Sequence, residues 1–170
     1  MELELIDITT GVELDNFNSN NPSLDTYLKR QAYYEHMMHF SNTKLVKINN
    51  QVAAFFTLEF REVKIPVDYD DNIYPVVCLK CLAVDCKFQS NGIGSTILEY
   101  ITPQCQELSE FVGCRCLIID AVKEKVNWYK DRGFQYIDSE ESINEYDVTV
   151  PMFIDFRDTE LVIDYFDEEV

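Results

Sequence analysis

A hydrophobic run over residues 76–84 leads through Gln89-Ser90-Asn91-Gly92-Ile93-Gly94 into a second apolar segment that continues Ser95-Thr96-Ile97-Leu98. Strand, glycine bend, helix start: this is the succession that a phosphate-binding site requires. The N-terminus of a helix carries backbone N–H groups without intrahelical acceptors and a partial positive charge. Glycine lets that backbone come close to a phosphate, because it has no side chain and accepts positive φ. The chain has only five glycines, so two in one bend set this segment apart.

Around the bend the sequence reads as one mixed α/β domain. Alternation over residues 3–8 predicts a first strand. Asn20 to Ser23 reads as a turn, with Ser23 as N-cap of a helix over about residues 24–40. Residues 43–48 and 52–63 flank Asn49-Asn50-Gln51 and predict a hairpin. Residues 63–75, with two prolines and three aspartates, read as a loop. The near-continuous apolar run 76–84 predicts a strand buried on both faces. The helix after the bend is expected to reach about Ser109, with a kink or early stop at Pro103. Residues 116–121 predict a strand, 123–132 a short helix ended by Gly133, and 134–137 and 148–156 closing strands.

The 170 residues suffice for one cored domain, and 46% hydrophobic content suits a globular chain. No apolar run reaches membrane-spanning length, and the acidic, alternating N-terminus is unlike a signal peptide, so a cytoplasmic location without a membrane partner is expected. Six cysteines without an export signal read as free, mostly buried thiols. Cys78-x-x-Cys81 and Cys114-x-Cys116 have the wrong spacing for a zinc knuckle, and no metal is expected. The net charge of −17 is unevenly spread. Residues 138–170 carry twelve acids and one base, Arg157, a net of −11, so an acidic C-terminal segment is expected over about 157–170. Residues 29–64 carry six bases and three acids, a net of +3.

A second motif, Trp128-Tyr129-Lys130-Asp131-Arg132-Gly133-Phe134, follows the strand that ends at Ala121. With it the resemblance becomes specific. Leu82-Ala83-Val84-Asp85 and the following Gln89 to Gly94 resemble the strand and Q/R-x-x-G-x-G/A loop of the GNAT superfamily of acyl-CoA N-acyltransferases. Tyr129 to Phe134 resembles its Y-x-x-x-G-F element. The resemblance implies a single GNAT-like domain whose mixed, mostly antiparallel sheet has about six to seven strands flanked by helices. It implies acetyl-CoA as co-substrate, with the pyrophosphate on the backbone of Gln89, Ser90, Asn91, Gly92, Ile93, Gly94 and Ser95. Leu82, Ala83 and Val84 would pair with the pantetheine arm, and a backbone N–H there would polarise the thioester carbonyl. Tyr129 would act as general acid to the departing CoA thiolate. Glu59 is the leading candidate for a general base, with Asp85 and Asp120 as others. Lys87 is the nearest cation to the loop. Trp128 and Phe134 are expected to pack rather than react. His36 and His39, three apart on the first helix, are expected to share one side of it as surface or cleft-lining residues.

The N-terminal half adds a weaker resemblance. Leu24-Asp25-Thr26-Tyr27-Leu28, the hairpin sequence Ala53-Ala54-Phe55-Phe56-Thr57-Leu58 and Ile119-Asp120-Ala121-Val122-Lys123 are similar to the GNAT branch that holds toxins of toxin–antitoxin pairs. That branch acetylates aminoacyl-tRNA and often dimerises, which would add tRNA, an antitoxin and a second copy as partners. The modest basic excess favours a small amine, an amino acid or a peptide N-terminus as main acceptor, attacking acetyl-CoA directly in a ternary complex. Aminoacyl-tRNA is the first alternative, and a non-catalytic CoA-binding interaction module is the second.

Overall fold

The computed structural model describes residues 2–65, 72–138 and 147–157. The acidic segment read over 157–170 lies outside the described residues apart from Arg157. Seven strands form one mixed sheet in the order β1-β2-β3-β4-β5-β7-β6, where β1 is Glu4–Asp7, β2 Asn42–Ile48, β3 Gln51–Lys64, β4 Ile73–Val84, β5 Cys116–Val122, β6 Gln135–Tyr136 and β7 Thr149–Asp155. The helices are α1 Pro22–Arg30, α2 Ala32–Met37, α3 Ile93–Val112 and α4 Val126–Lys130. β4 and β5 are neighbours joined through α3, the long crossover that parallel strands need. The expected α/β class and the sheet of about six to seven strands are what the structure has.

By compactness the chain divides into two units. The first comprises Met1–Phe60 and Cys78–Pro103. Its core gathers Ile8, Phe17, Leu28, Ala32, Leu45, Phe55, Cys81 and Ala83, with Phe17 edge-on to Phe55 at 5.6 Å. The β2–β3 hairpin turns on Asn49 and Asn50, both at positive φ, the geometry that asparagine tolerates best after glycine. Thr43 faces Thr57 across it, and their buried hydroxyls share a 2.8 Å hydrogen bond.

The second unit comprises Arg61–Val77 and Gln104–Val170. β5 pairs antiparallel with β7 from Cys116 opposite Asp155 to Val122 opposite Thr149. The buried Arg115 closes the end of this ladder with a two-pronged contact to Asp155, both bonds at 3.1 Å, and stacks on Tyr74. A 3₁₀ turn at Lys123–Lys125 leads into α4.

Several expectations need correction. Asn21, not Ser23, caps α1: its side-chain oxygen accepts from the Ser23 and Leu24 N–H groups, and Pro22 takes the first helical position, where it needs no N–H acceptor. The single helix over 24–40 breaks at Gln31 into α1 and α2, and the second piece ends at Met37. Pro103 does not stop α3, which runs on to Val112. Pro103 and Glu99, whose carbonyl loses its helical N–H donor, both lie on the exposed side, where the carbonyl faces solvent rather than the core. The loop over 63–75 is shorter than expected, because β3 extends to Lys64 and β4 begins at Ile73; residues 66–71 lie outside the described set. Burial of β4 is continuous only from Val76 to Leu79 and alternates beyond. The predicted helix over 123–132 is helical in α form only from Val126 to Lys130. Five cysteines are buried and Cys86 is exposed; none is in a disulfide.

Candidate active site

The bend after β4 is built by side chains that bond backbone. Asp85 is buried at its root. One carboxylate oxygen accepts from the Asn18 N–H and the other from the Lys87 N–H, both at 2.9 Å. The Asp85 N–H donates to the Ala53 carbonyl, and its own carbonyl accepts from the Phe88 N–H. Gln89 donates through its amide to the Val84 carbonyl at 2.9 Å and the Ser19 carbonyl at 3.1 Å. Asn91 donates to the carbonyls of Phe88 and Gln89. These bonds point carbonyls inward, onto amides.

At the end of the bend Ser90 and Gly92 adopt φ of +65° and +77°. The Gly92 carbonyl accepts from the Thr96 N–H at 3.0 Å, the first bond of α3, which puts Gly92 at the cap position. Ile93 and Gly94 then lie in the first turn, where an N–H has no acceptor within its own helix. A β-carbon added at Gly92 would meet nothing within 4 Å. Backbone donors, a positive helix end and open space coincide here. The structure thus brings Gln89 to Ser95 into one bend, but Gln89, Asn91 and Asp85 serve it as braces. Lys87 is exposed beside it.

Glu59 sits in a charge cluster. Lys80 of β4 reaches Glu35 of α2 at 2.9 Å and Glu59 of β3 at 3.1 Å, and lies 5.2 Å from the centre of the Tyr27 ring. Glu35 is the hub: it also accepts from the Tyr27 hydroxyl at 2.8 Å, the Ser41 hydroxyl at 3.1 Å and the Gln31 amide at 2.7 Å. Burial alone would raise the Glu35 carboxyl, but hydrogen bonds from Lys80, Tyr27 and Gln31 outweigh it and hold the group at about 2. Burial would likewise lower the Lys80 ammonium, and the two glutamates raise it instead. The expectation that Glu59 is a free base therefore meets a carboxylate already paired to a cation.

Lys80 and Glu35 were not among the residues read as functional. The signal was present: a lysine in the middle of the apolar run 76–84 must find a countercharge if the strand is buried. The cluster also sets an acid limit. The folded Glu35 titrates below its ordinary 4.5, so its stabilisation is complete above about pH 4.5 and lost as pH falls towards 2. Urea unfolding should show a loss of the order of 3 kcal/mol over that window, part of which Glu35→Gln removes. An identical pH slope in Glu35→Gln would rule this out.

The other base candidates are also engaged. Asp120 pairs with Arg61 at 3.2 Å on the surface, and Asp85 anchors the bend. His36 accepts from the Thr43 N–H at 3.1 Å through Nδ1, whereas His39 lies beyond α2 at φ +57°, so the two do not share a helix side.

In the second unit Tyr129 occupies α4, half-buried between Trp128 at 4.8 Å and Phe134 at 5.4 Å, both edge-on. Gly133 at φ +89° turns the chain so that the Phe134 N–H returns to the Tyr129 carbonyl. Arg132 stacks 3.9 Å over the Trp128 ring. Burial pushes the Tyr129 phenol up to about 12, with Arg132 opposing weakly. Phe134 is buried, in keeping with a packing role.

Strand order, the crossover through α3 and the bend at its start define the fold of the GNAT acyltransferases, as the sequence motifs implied. The comparisons with known proteins narrow the likeness to toxins. A "tRNA-acetylating toxin" of Mycobacterium tuberculosis is 27% identical over 125 residues, covering 69% of this chain and 75% of the relative. The solved structure of AtaT complexed with acetyl-methionyl-tRNAfMet superposes with a TM-score of 0.78 at 22% identity, over 95% of this chain and 99% of that one. A mutant AtaT toxin bound to the C-terminus of the antitoxin AtaR and acetyl-CoA gives a TM-score of 0.75 at 20% identity, over 96% and 99%. No protein-family model matches the chain. These likenesses bear out the GNAT resemblance of the sequence and also match its weaker resemblance, to the toxin branch. Among the described residues no helix is long and apolar enough to cross a membrane.

Proposed function

We propose that this chain is a single-domain, acetyl-CoA-dependent N-acetyltransferase of the toxin type, acting on the amine of an aminoacyl-tRNA and held in check by an antitoxin. The observation that carries the reading is the braced bend from Asp85 to Gly92, which delivers α3's first-turn amides to open space. Its likeness to a tRNA-acetylating toxin and to AtaT supports this acceptor over the small amine, amino acid or peptide favoured by charge alone. The cytoplasm, where charged tRNA is found, is the compartment this reading requires.

In the proposed reaction the acceptor nitrogen attacks the thioester carbonyl carbon, the C–S bond breaks, and the CoA sulfur leaves as a thiolate. The backbone of Gly92, Ile93, Gly94 and Ser95 holds the pyrophosphate, while Leu82, Ala83 and Val84 align the pantetheine. Tyr129 serves the leaving sulfur. A phenol near 12 is a weaker acid than an ordinary thiol at about 8.5, so its contribution is a hydrogen bond to the thiolate rather than complete proton transfer. The acceptor nitrogen must shed a proton. An α-amine with an ordinary pKa of about 8 has a neutral, nucleophilic fraction at working pH far larger than a lysine amine has, and the proton shed on attack can pass to water. No free carboxylate base is then needed, which agrees with the engagement of Glu59, Asp85 and Asp120.

The experiment is acetyl transfer from labelled acetyl-CoA to a set of aminoacyl-tRNAs, beside free amino acids, polyamines and peptides. Acetylation of tRNA-linked amines alone is the expected result. Transfer to free amines only would return the small-amine reading, and acetyl-CoA binding without transfer to any acceptor would make the chain a binding module.

A further inference from the structure

Asp85 is a buried carboxylate, and main-chain N–H groups hold it from two sides: Lys87 of the bend itself and Asn18, sixty-seven residues earlier. An amide in its place would have one acceptor oxygen, and its nitrogen would meet the other N–H as a second donor. The carboxylate is therefore suited to joining two segments. Two further bonds cross the same junction. The Cys86 N–H donates to the Asn18 carbonyl at 2.8 Å, and the Gln89 amide reaches the Ser19 carbonyl at 3.1 Å. Asn18 is thus bonded to the bend through both of its main-chain groups. From Ser19 the connection runs on into α1. The Ser19 N–H and hydroxyl both donate to Asp25, at 2.9 and 2.7 Å, and Asn21 caps the helix. All of these residues belong to the first unit.

We propose that Asp85 and Gln89 are positioning residues that fasten the loop 18–21 to the diphosphate bend, so that binding of the acyl donor and ordering of the N-terminal end of α1 form one coupled equilibrium. The inference rests on the proposed cofactor site and adds to it a support supplied by the N-terminal loop. The loop and Asp25 act through the bend, not on the ligand. Such coupling is reciprocal. Whatever loosens the loop loosens the bend and weakens the donor, and a bound donor, by holding the bend, slows opening of the loop. The clamp also explains why the chain buries a carboxylate at the root of an anion-binding bend, where a neutral residue would cost less on local electrostatics alone.

Amide hydrogen exchange with and without saturating acetyl-CoA reads the coupling. In the wild type the donor should slow exchange about tenfold or more at residues 18–21 as well as at 93–95. Asp85→Asn cuts the clamp most severely but risks misfolding. Gln89→Leu, at an exposed position, loses two carbonyl bonds and keeps the fold. In whichever variant retains the wild-type circular dichroism, saturating donor should still protect 93–95, while protection of 18–21 should drop below about threefold. Affinity gives a second reading. Acetyl-CoA binding should weaken about tenfold in Gln89→Leu and about threefold in Asp25→Ala, and the double variant should lose less than the product of the two, because both act through one clamp. Undiminished protection of 18–21 in a folded variant, or losses that multiply in full, overturns the coupling. If the donor protects 93–95 but not 18–21 in the wild type, the coupling is wrong and the cofactor site stands. If the wild type binds no acetyl-CoA, the site itself is wrong and the coupling falls with it.

Discussion

Gly92→Asp should abolish acetyl-CoA binding while leaving the chain folded. Two effects on stability oppose each other. A residue with a β-carbon at φ +77° is strained by about 1–2 kcal/mol. A carboxylate at a helix N-terminus is stabilising by roughly 0.3–1 kcal/mol, and aspartate is a good capping residue. The added β-carbon meets no neighbour within 4 Å, so nothing clashes. Binding is another matter. The same open space is where the proposed diphosphate lies, and the new charge would sit against it. Two like charges about 4 Å apart at an effective dielectric near 20 repel by about 4 kcal/mol, on the order of a thousandfold in affinity. Gly11 supplies the control for backbone strain, since it has φ +88° and equal freedom around its β-position. Gly11→Asp should lower the melting temperature to a similar degree and leave titration calorimetry with acetyl-CoA unaltered. Affinity within a few-fold of wild type in Gly92→Asp would place the diphosphate elsewhere.

The bend was legible because glycine content and hydrophobic pattern act locally: Gly92 needs its positive φ wherever α3 goes. Tyr129 was legible for a similar reason, since Gly133 fixes the turn that returns Phe134 to it. What escaped was set by pairing across distance. Asn21 displaced Ser23 as a cap because Pro22 fitted the first helical position, and both residues were plausible from type alone. The burial of Glu35 is matched by Lys80, forty-five residues further on. Nothing near Glu35 announces that partner. Glu59 was placed correctly on β3 but misjudged in state, because a carboxylate's availability is decided by what lies opposite it on β4. Charge totals were no guide to the acceptor either. The basic excess over 29–64 includes Lys44, which is paired with Asp7, and Arg61, which is paired with Asp120. The free positive charge there is smaller still than the count, so charge alone would keep pointing to a small amine, and the aminoacyl-tRNA reading draws its support from the likenesses instead.

Tyr129→Phe should reduce turnover roughly a hundredfold, the usual effect of removing one hydrogen-bond donor from a charge that develops in the transition state. Acetyl-CoA affinity should hardly change, because the thioester sulfur of the ground state is a weak acceptor and the ring contacts with Trp128 and Phe134 survive. The pH dependence is the sharper test. With the phenol near 12, Tyr129 stays protonated up to about pH 11 and contributes no alkaline limb below that. The rise in kcat/KM with pH should instead follow deprotonation of the acceptor amine. Wild type and Tyr129→Phe should then give parallel profiles between pH 6 and 10, displaced vertically, and an acceptor whose amine has a higher pKa should move both to the right. A limb that vanishes in Tyr129→Phe would mean that the phenol titrates during the reaction and acts as a true proton donor. An unchanged rate would remove Tyr129 from the chemistry and leave it as one more ring packed in α4.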